Sequence, residues 1–127
     1  MWRHVHATKY GNRKVTVNGI TYDSKKEARR AQELFALQAA GEIRCLNRQV
    51  PFELVPAQRE PDLTGPKGGK IKGKTIERAV VYIADFCYQD IKTGETIVED
   101  TKGMRTPEYI IKRKLMLWVH GIRIKEI

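Results

Sequence analysis

Apolar and polar positions follow two different periods along the chain, and each change of period marks a new element. Val15-Thr16-Val17 and Ile20-Thr21-Tyr22 alternate with period two, and Asn18-Gly19 between them tolerates the positive φ of a type I′ turn, which predicts a hairpin. A helical period follows, with Ala28, Ala31, Leu34 and Phe35, then Gln38 and Ala39, on one face. Ser24-Lys25-Lys26-Glu27 has the S-x-x-E form of a capping box, so the helix is expected to start at Ser24 and end near Gly41. Ile43 to Asn47 and Val50 to Val55 read as short strands around Asn47-Arg48-Gln49, with Pro51 at an edge or bulge. Gln49 reads as a turn residue in preference to a polar neighbour of a site. Val80 to Tyr88 is β-branched and aromatic, Asp90 to Glu95 supplies a turn, and Thr96 to Lys102 returns antiparallel. Thr106 as N-cap and Pro107 in the first turn open a second helix, in which Ile111, Leu115 and Trp118 share a face and Trp118 is expected in the core. Gly121 ends that helix, His120 reads as a C-terminal cation or core histidine, and Ile122 and Ile124 begin a final strand.

A length of 127 residues allows one ordinary hydrophobic core, so residues 15–127 are expected to form a single domain behind a flexible basic arm, residues 1–14. The formal net charge of +9 is the footprint of a polyanion binder, with nucleic acid the leading partner. The apolar content falls between Pro56 and Thr75, where four lysines, four glycines and three prolines gather, and this predicts a mobile basic loop over 56–75. That loop lacks the phosphate-cradling G-x-x-x-x-G-K-[ST] pattern. Cys45 and Cys87 read as free thiols, no spacing with His4 or His6 matches a zinc site, and no apolar run is long enough to cross a bilayer. An intracellular, reduced protein is expected.

The chemistry concentrates in the central hairpin. Asp85 sits in the middle of the outgoing apolar strand, and on the return strand Val98, Asp100 and Lys102 share one side while Ile97, Glu99 and Thr101 share the other. Acids in apolar strands are costly without a compensating cation or metal, so this pattern marks a site. Glu27 is an even choice between capping partner and site acid. Lys25, Lys26, Arg29 and Arg30 crowd the first turns of the first helix against its dipole, an arrangement that makes sense if they face phosphate.

The order helix, antiparallel strands, helix, strand, with Asp85 followed by Asp100-Thr101-Lys102, resembles the PD-(D/E)xK nuclease superfamily over about Gly19 to Ile127. YDSKKEARRAQEL, AGEI, YIADFCY and VEDTKG are more narrowly similar to phage and prophage endonucleases that resolve Holliday junctions, although Ala84 stands where the superfamily motif has proline. The resemblance implies an α/β fold with a restriction-endonuclease-like core, a central mixed sheet flanked by helices. It implies an acidic cluster of Glu27, Asp85 and Asp100 with Lys102 as the lysine. Mg²⁺, for which Mn²⁺ substitutes, would be held by Asp85, Asp100, Glu27 and the main chain of Thr101; a one-residue slip would exchange Glu99 for Asp100. Branched DNA would be held through phosphates by Lys25, Lys26, Arg29, Arg30, Lys67, Lys70, Lys72, Lys74, Arg105, Lys112 and Arg113. A homodimer in the cytoplasm of a bacterial host is expected, because a junction is cut symmetrically. The alternatives are a general repair or restriction-like nuclease, and a non-catalytic DNA-binding module in which Asp85, Asp100 and Lys102 form an ion network.

Overall fold

A computed structural model describes residues 13–102 and 104–127, together with the backbone of residues 3–7. In chain order the elements are β1 (Arg3–Ala7), β2 (Arg13–Val17), β3 (Ile20–Tyr22), α1 (Lys25–Ala39), β4 (Ile43–Val55), β5 (Gln58–Arg59), β6 (Leu63–Thr64) and β7 (Lys70–Ile71). They continue with β8 (Thr75–Glu77), β9 (Val80–Asp90), β10 (Thr96–Asp100), α2 (Pro107–His120) and β11 (Lys125–Glu126). The chain divides into two compact units. Met1–Val50, Ala84–Arg105 and Ile124–Ile127 make the first, Pro51–Ile83 and Thr106–Arg123 the second.

The largest sheet has the order β11-β10-β9-β4. β10 runs antiparallel to β9 and parallel to β11, so the fold is mixed α/β with a central mixed sheet. A second sheet, β1-β2-β3, contains the expected hairpin, turning at Asn18 with φ 51° and Gly19 with φ 81°. Arg3–Ala7, part of the segment expected to be a loose arm, pairs antiparallel with β2; the rest of residues 1–12 lies outside the described residues.

Local sequence signals set the ends of α1. The Ser24 side chain accepts from the Glu27 N–H at 3.1 Å, and Gly41, φ 76°, follows the C-cap Ala40. The buried face of α1, Ala28, Ala31 and Leu34, packs with Val15, Val17 and Tyr22 of the hairpin, Ile43 of β4, and Phe86 and Tyr88 of β9. Phe35, placed on that face by spacing, is exposed. β4 is one strand of 13 residues where two short ones were expected, and it absorbs its irregularity in left-handed residues at Cys45 (φ 57°) and Gln49 (φ 51°). Cys45 and Cys87 are free.

The second unit places structure where a mobile loop was expected. β5 pairs with β8 and β6 with β7, as two short antiparallel ribbons. Gly73 is the close point between them, because a Cβ there would lie 1.8 Å from the Glu60 carbonyl oxygen and 2.5 Å from its carbon. Gly73→Ala should therefore force the ribbon open at a cost of about 2 kcal/mol. Hydrogen exchange at the Glu60 N–H, which bonds the Lys74 oxygen at 2.8 Å, reads the opening; unchanged protection would mean the backbone yields elsewhere. Thr106 caps α2, Pro107 occupies its first turn, and Gly121 ends it at φ 68°. The Tyr82 and Tyr109 rings are 6.4 Å apart, and the His120 ring nitrogen donates to the Glu53 carbonyl at 2.7 Å. Trp118 is a correction: expected in the core, it is 87% exposed, and Ile111 on the same helix is 59% exposed. Met116 and Tyr109 are the buried residues of α2 instead, one position away from the face that the spacing indicated.

Candidate active site

The register of β9 against β10 decides which acids meet. Val98 lies opposite Cys87 and Glu99 opposite Phe86, so one further step sets Asp100 across from Asp85. Residues directly opposed on adjacent antiparallel strands project to the same face. Asp85 and Asp100 accordingly line one cavity of about 190 Å³, with Asp23, Ser24, Glu27, Thr101 and Lys102, all within the first unit.

Within this cavity the polar groups are tied together. Lys102 Nζ is 3.2 Å from Asp100 Oδ1, and Asp100 is buried. Asp85 Oδ2 accepts from both the Thr101 N–H and its hydroxyl, each at 2.8 Å. Glu27 is 2% exposed and sits at the N-terminus of α1, where its Oε2 accepts from the Asp23 N–H at 2.9 Å and its Oε1 from Gln49 Nε2 at 3.2 Å. Glu27 thus makes a capping contact, its carboxylate reaching the residue before the cap, and also lines the cavity of Asp85 and Asp100. Burial, and then the negative charge of Asp85, push the Glu27 carboxyl up to about 7.

Glu99, the alternative acid, belongs to the opposite face. It is fully buried, it takes Arg30 in a two-pronged pair (Nε to Oε1 2.8 Å, Nη2 to Oε2 2.7 Å), and the Tyr88 hydroxyl donates to its Oε2. Burial and this carboxylate raise the Tyr88 phenol above its ordinary value. Arg30, expected on phosphate, is committed to Glu99 and to Glu33 Oε2 at 2.8 Å.

The remaining basic candidates divide between exposed groups and groups engaged with acids. Lys25, Lys26 and Arg29 are exposed on α1, and Lys67, Lys72 and Lys74 on the basic segment. Lys70 lies 4.0 Å from Asp62, Arg105 bonds Glu126 at 2.8 Å, and Lys112 pairs with Glu108 at 3.1 Å; Arg113 is half-buried. Two cavity residues were missed in the sequence, and a third was weighed and set aside. Asp23 and Ser24 were hidden in the cap, and Gln49, read as a turn residue, reaches Glu27 through its side chain.

The donor set fits a hard divalent cation in chemistry: carboxylate oxygens in one cavity, with Glu27 raised partly by the negative charge of Asp85. Among the described residues, however, no three His, Cys, Asp or Glu side chains are already gathered closely enough to hold a metal. Seating one calls for these carboxylates to draw closer together.

A carboxyl whose folded value lies above its unfolded one binds more protons in the native state, so it lowers stability as pH rises from about 4.5 to about 7. The metal-free protein should lose melting temperature over that window. Glu27→Gln, which keeps an acceptor for the Asp23 N–H without the charge, should flatten the loss. Added Mg²⁺ should raise the melting temperature of the wild type more at pH 8 than at pH 5. A pH-independent melting temperature would show that Glu27 is not held in its raised state.

Among the described residues no helix is long and apolar enough to cross a membrane. One family model matches the chain, over residues 7–122: DUF1064, described as a protein of unknown function. No curated protein and no solved structure matches it.

Proposed function

The chain belongs to the DUF1064 family, whose description assigns no activity, and we propose from the site that it is a divalent-metal-dependent endonuclease for branched DNA. The Holliday junction is its favoured substrate, cut by a homodimer in the cytoplasm of a bacterial host. The observation that carries this reading is the one cavity that Asp85 and Asp100, on adjacent antiparallel strands, line with Glu27 and Lys102.

Asp85, Asp100 and Glu27, with the main chain of Thr101, would hold Mg²⁺, which when bound neutralises charge on the phosphoryl oxygens. The Lys102 ammonium orients the attacking water and offsets the charge that develops at the phosphate. Without the cation, burial and the charge of Asp85 hold the Glu27 carboxyl near 7, so seating Mg²⁺ there would release its proton. The exposed Lys25, Lys26 and Arg29, and the lysines of the segment Lys67 to Lys74, supply phosphate contacts without base readout, which makes binding steeply salt-dependent.

A second reading has its own support. Lys102 on Asp100 and Thr101 on Asp85 satisfy much of the cavity internally, as a non-catalytic DNA-binding module would require. Cleavage of a four-way junction, a flap and a linear duplex, compared at one salt concentration with Mg²⁺ or Mn²⁺, separates the readings. The junction should be cut in preference. Equal cutting of linear duplex would favour a general nuclease, and no cutting with either metal would leave the binding module.

A further inference from the structure

Arg48 presents a buried donor with nothing to bind. Its Nε is shielded from solvent and has no hydrogen-bond partner, while its guanidinium lies over the Tyr22 ring, 4.4 Å from the centroid. Leaving such a donor unmet costs on the order of 1–3 kcal/mol. The next residue, Gln49, adopts φ 51°, in the left-handed region, which costs a residue with a Cβ about 1 kcal/mol or more. Two adjacent unfavourable features on one strand point to a use for both.

Arg48, Gln49, Thr21, Asp23 and Glu27 line a second cavity, of about 290 Å³. It shares Asp23 and Glu27 with the acid cavity, so the two meet along that wall. Among the described residues neither acid hydrogen-bonds Arg48, although its charge acts on the Glu27 carboxylate across the cavity. Asp23 Oδ1 pairs with Lys14 at 3.5 Å, and the Glu27 oxygens accept from the Asp23 N–H and from Gln49. A stacked guanidinium lining this cavity matches the oxygens of a phosphate in charge and in planar geometry.

We propose that Arg48, positioned by Gln49, is the subsite for the phosphate next to the scissile one on the same DNA strand. This rests on the nuclease reading, in which the scissile phosphate lies at Asp85, Asp100 and Lys102. Gln49 is a positioning residue: its side chain joins the Arg48 segment to Glu27, so that the subsite and the acid cavity keep one spacing.

Two measurements test it, and the first does not depend on cleavage. In metal-free protein at constant ionic strength, the Arg48 Nε–H resonance, assigned by its loss in Arg48→Lys, is followed during titration with a 5′-phosphorylated thymidine dinucleotide. A saturable shift in both the wild type and Asp100→Asn is expected; an unmoved resonance overturns the subsite.

The second uses four-way junctions carrying one neutral methylphosphonate on either side of the cut. Arg48→Ala should slow cleavage of the normal junction about 10- to 100-fold, the size of one charge-assisted phosphate contact. One of the two modified junctions should slow the wild type equally and the variant no further. Arg48→Gln, which keeps a planar group over Tyr22, should behave alike if the effect is not misfolding. Losses that add on both modified junctions overturn the proposal. A wild type that cuts nothing would end the nuclease reading, while the titration still judges the anion subsite on its own.

Discussion

Asp100→Asn is expected to lower Mg²⁺-dependent junction cleavage about a thousandfold or more while leaving the protein folded. The substitution keeps the shape of the side chain and removes the charge that would hold the cation. Its ion-pair partner, Lys102, is partly exposed and can turn its ammonium to water, which is why the fold should tolerate the change. Asp85→Asn should behave in the same way, since an asparagine carbonyl can still accept from the Thr101 N–H and hydroxyl. Lys102→Ala should lose cleavage with DNA binding largely kept. Single-turnover rates, with circular dichroism to confirm folding, read all three. Wild-type rates in Asp85→Asn and Lys102→Ala would remove the catalytic assignment.

The neighbouring acid should give the opposite result. Glu99→Ala is expected to destabilise the protein by about 3–5 kcal/mol, because it leaves the mostly buried Arg30 guanidinium facing a cavity and deprives the Tyr88 hydroxyl of its acceptor. That is a large part of the stability of an ordinary domain. Urea unfolding measures the loss. The milder Glu99→Gln, assayed in its folded fraction, should cut junctions at close to the wild-type rate. Two adjacent acids, one needed for turnover and one for the fold, are the functional signature of the β9–β10 register. A Glu99→Gln protein that is folded yet as inactive as Asp100→Asn would contradict it.

The parts of the fold that sequence reveals are those fixed by neighbours in the chain. Asn18-Gly19 turns a hairpin, Ser24 and Thr106 cap helices, and Gly121 ends one, because each acts through its own backbone or the next turn. Alternation along Thr96 to Lys102 also separates Asp100 from Glu99. What it cannot show is the partner that waits on each side. Arg30 stands 69 residues from Glu99, and its place in the first turns of α1 made it look like a phosphate contact. Trp118 misled for a related reason: helical spacing identifies an apolar stripe, while burial depends on what covers it.

Backbone irregularity was the other hidden quantity. Asn47-Arg48-Gln49 carries polar residues that read as a break between strands, yet β4 runs through it by admitting a left-handed Gln49. That conformation accompanies the Gln49 contact with Glu27 and the unmet nitrogen of Arg48. The basic segment 56–75 was similarly read from its glycines and prolines. The short β5–β8 and β6–β7 ribbons, and the close approach at Gly73, are pairings within the second unit that composition does not encode.

Mn²⁺ binding, followed by the loss of the free-ion electron paramagnetic resonance signal at pH 7.5, tests the acid cavity most directly. The wild type should take up the ion in saturable fashion, and Asp100→Asn, folded to the same degree, should not. Equal uptake by both proteins, or none by the wild type, would contradict the assignment of Asp85 and Asp100 as the holders of a catalytic cation.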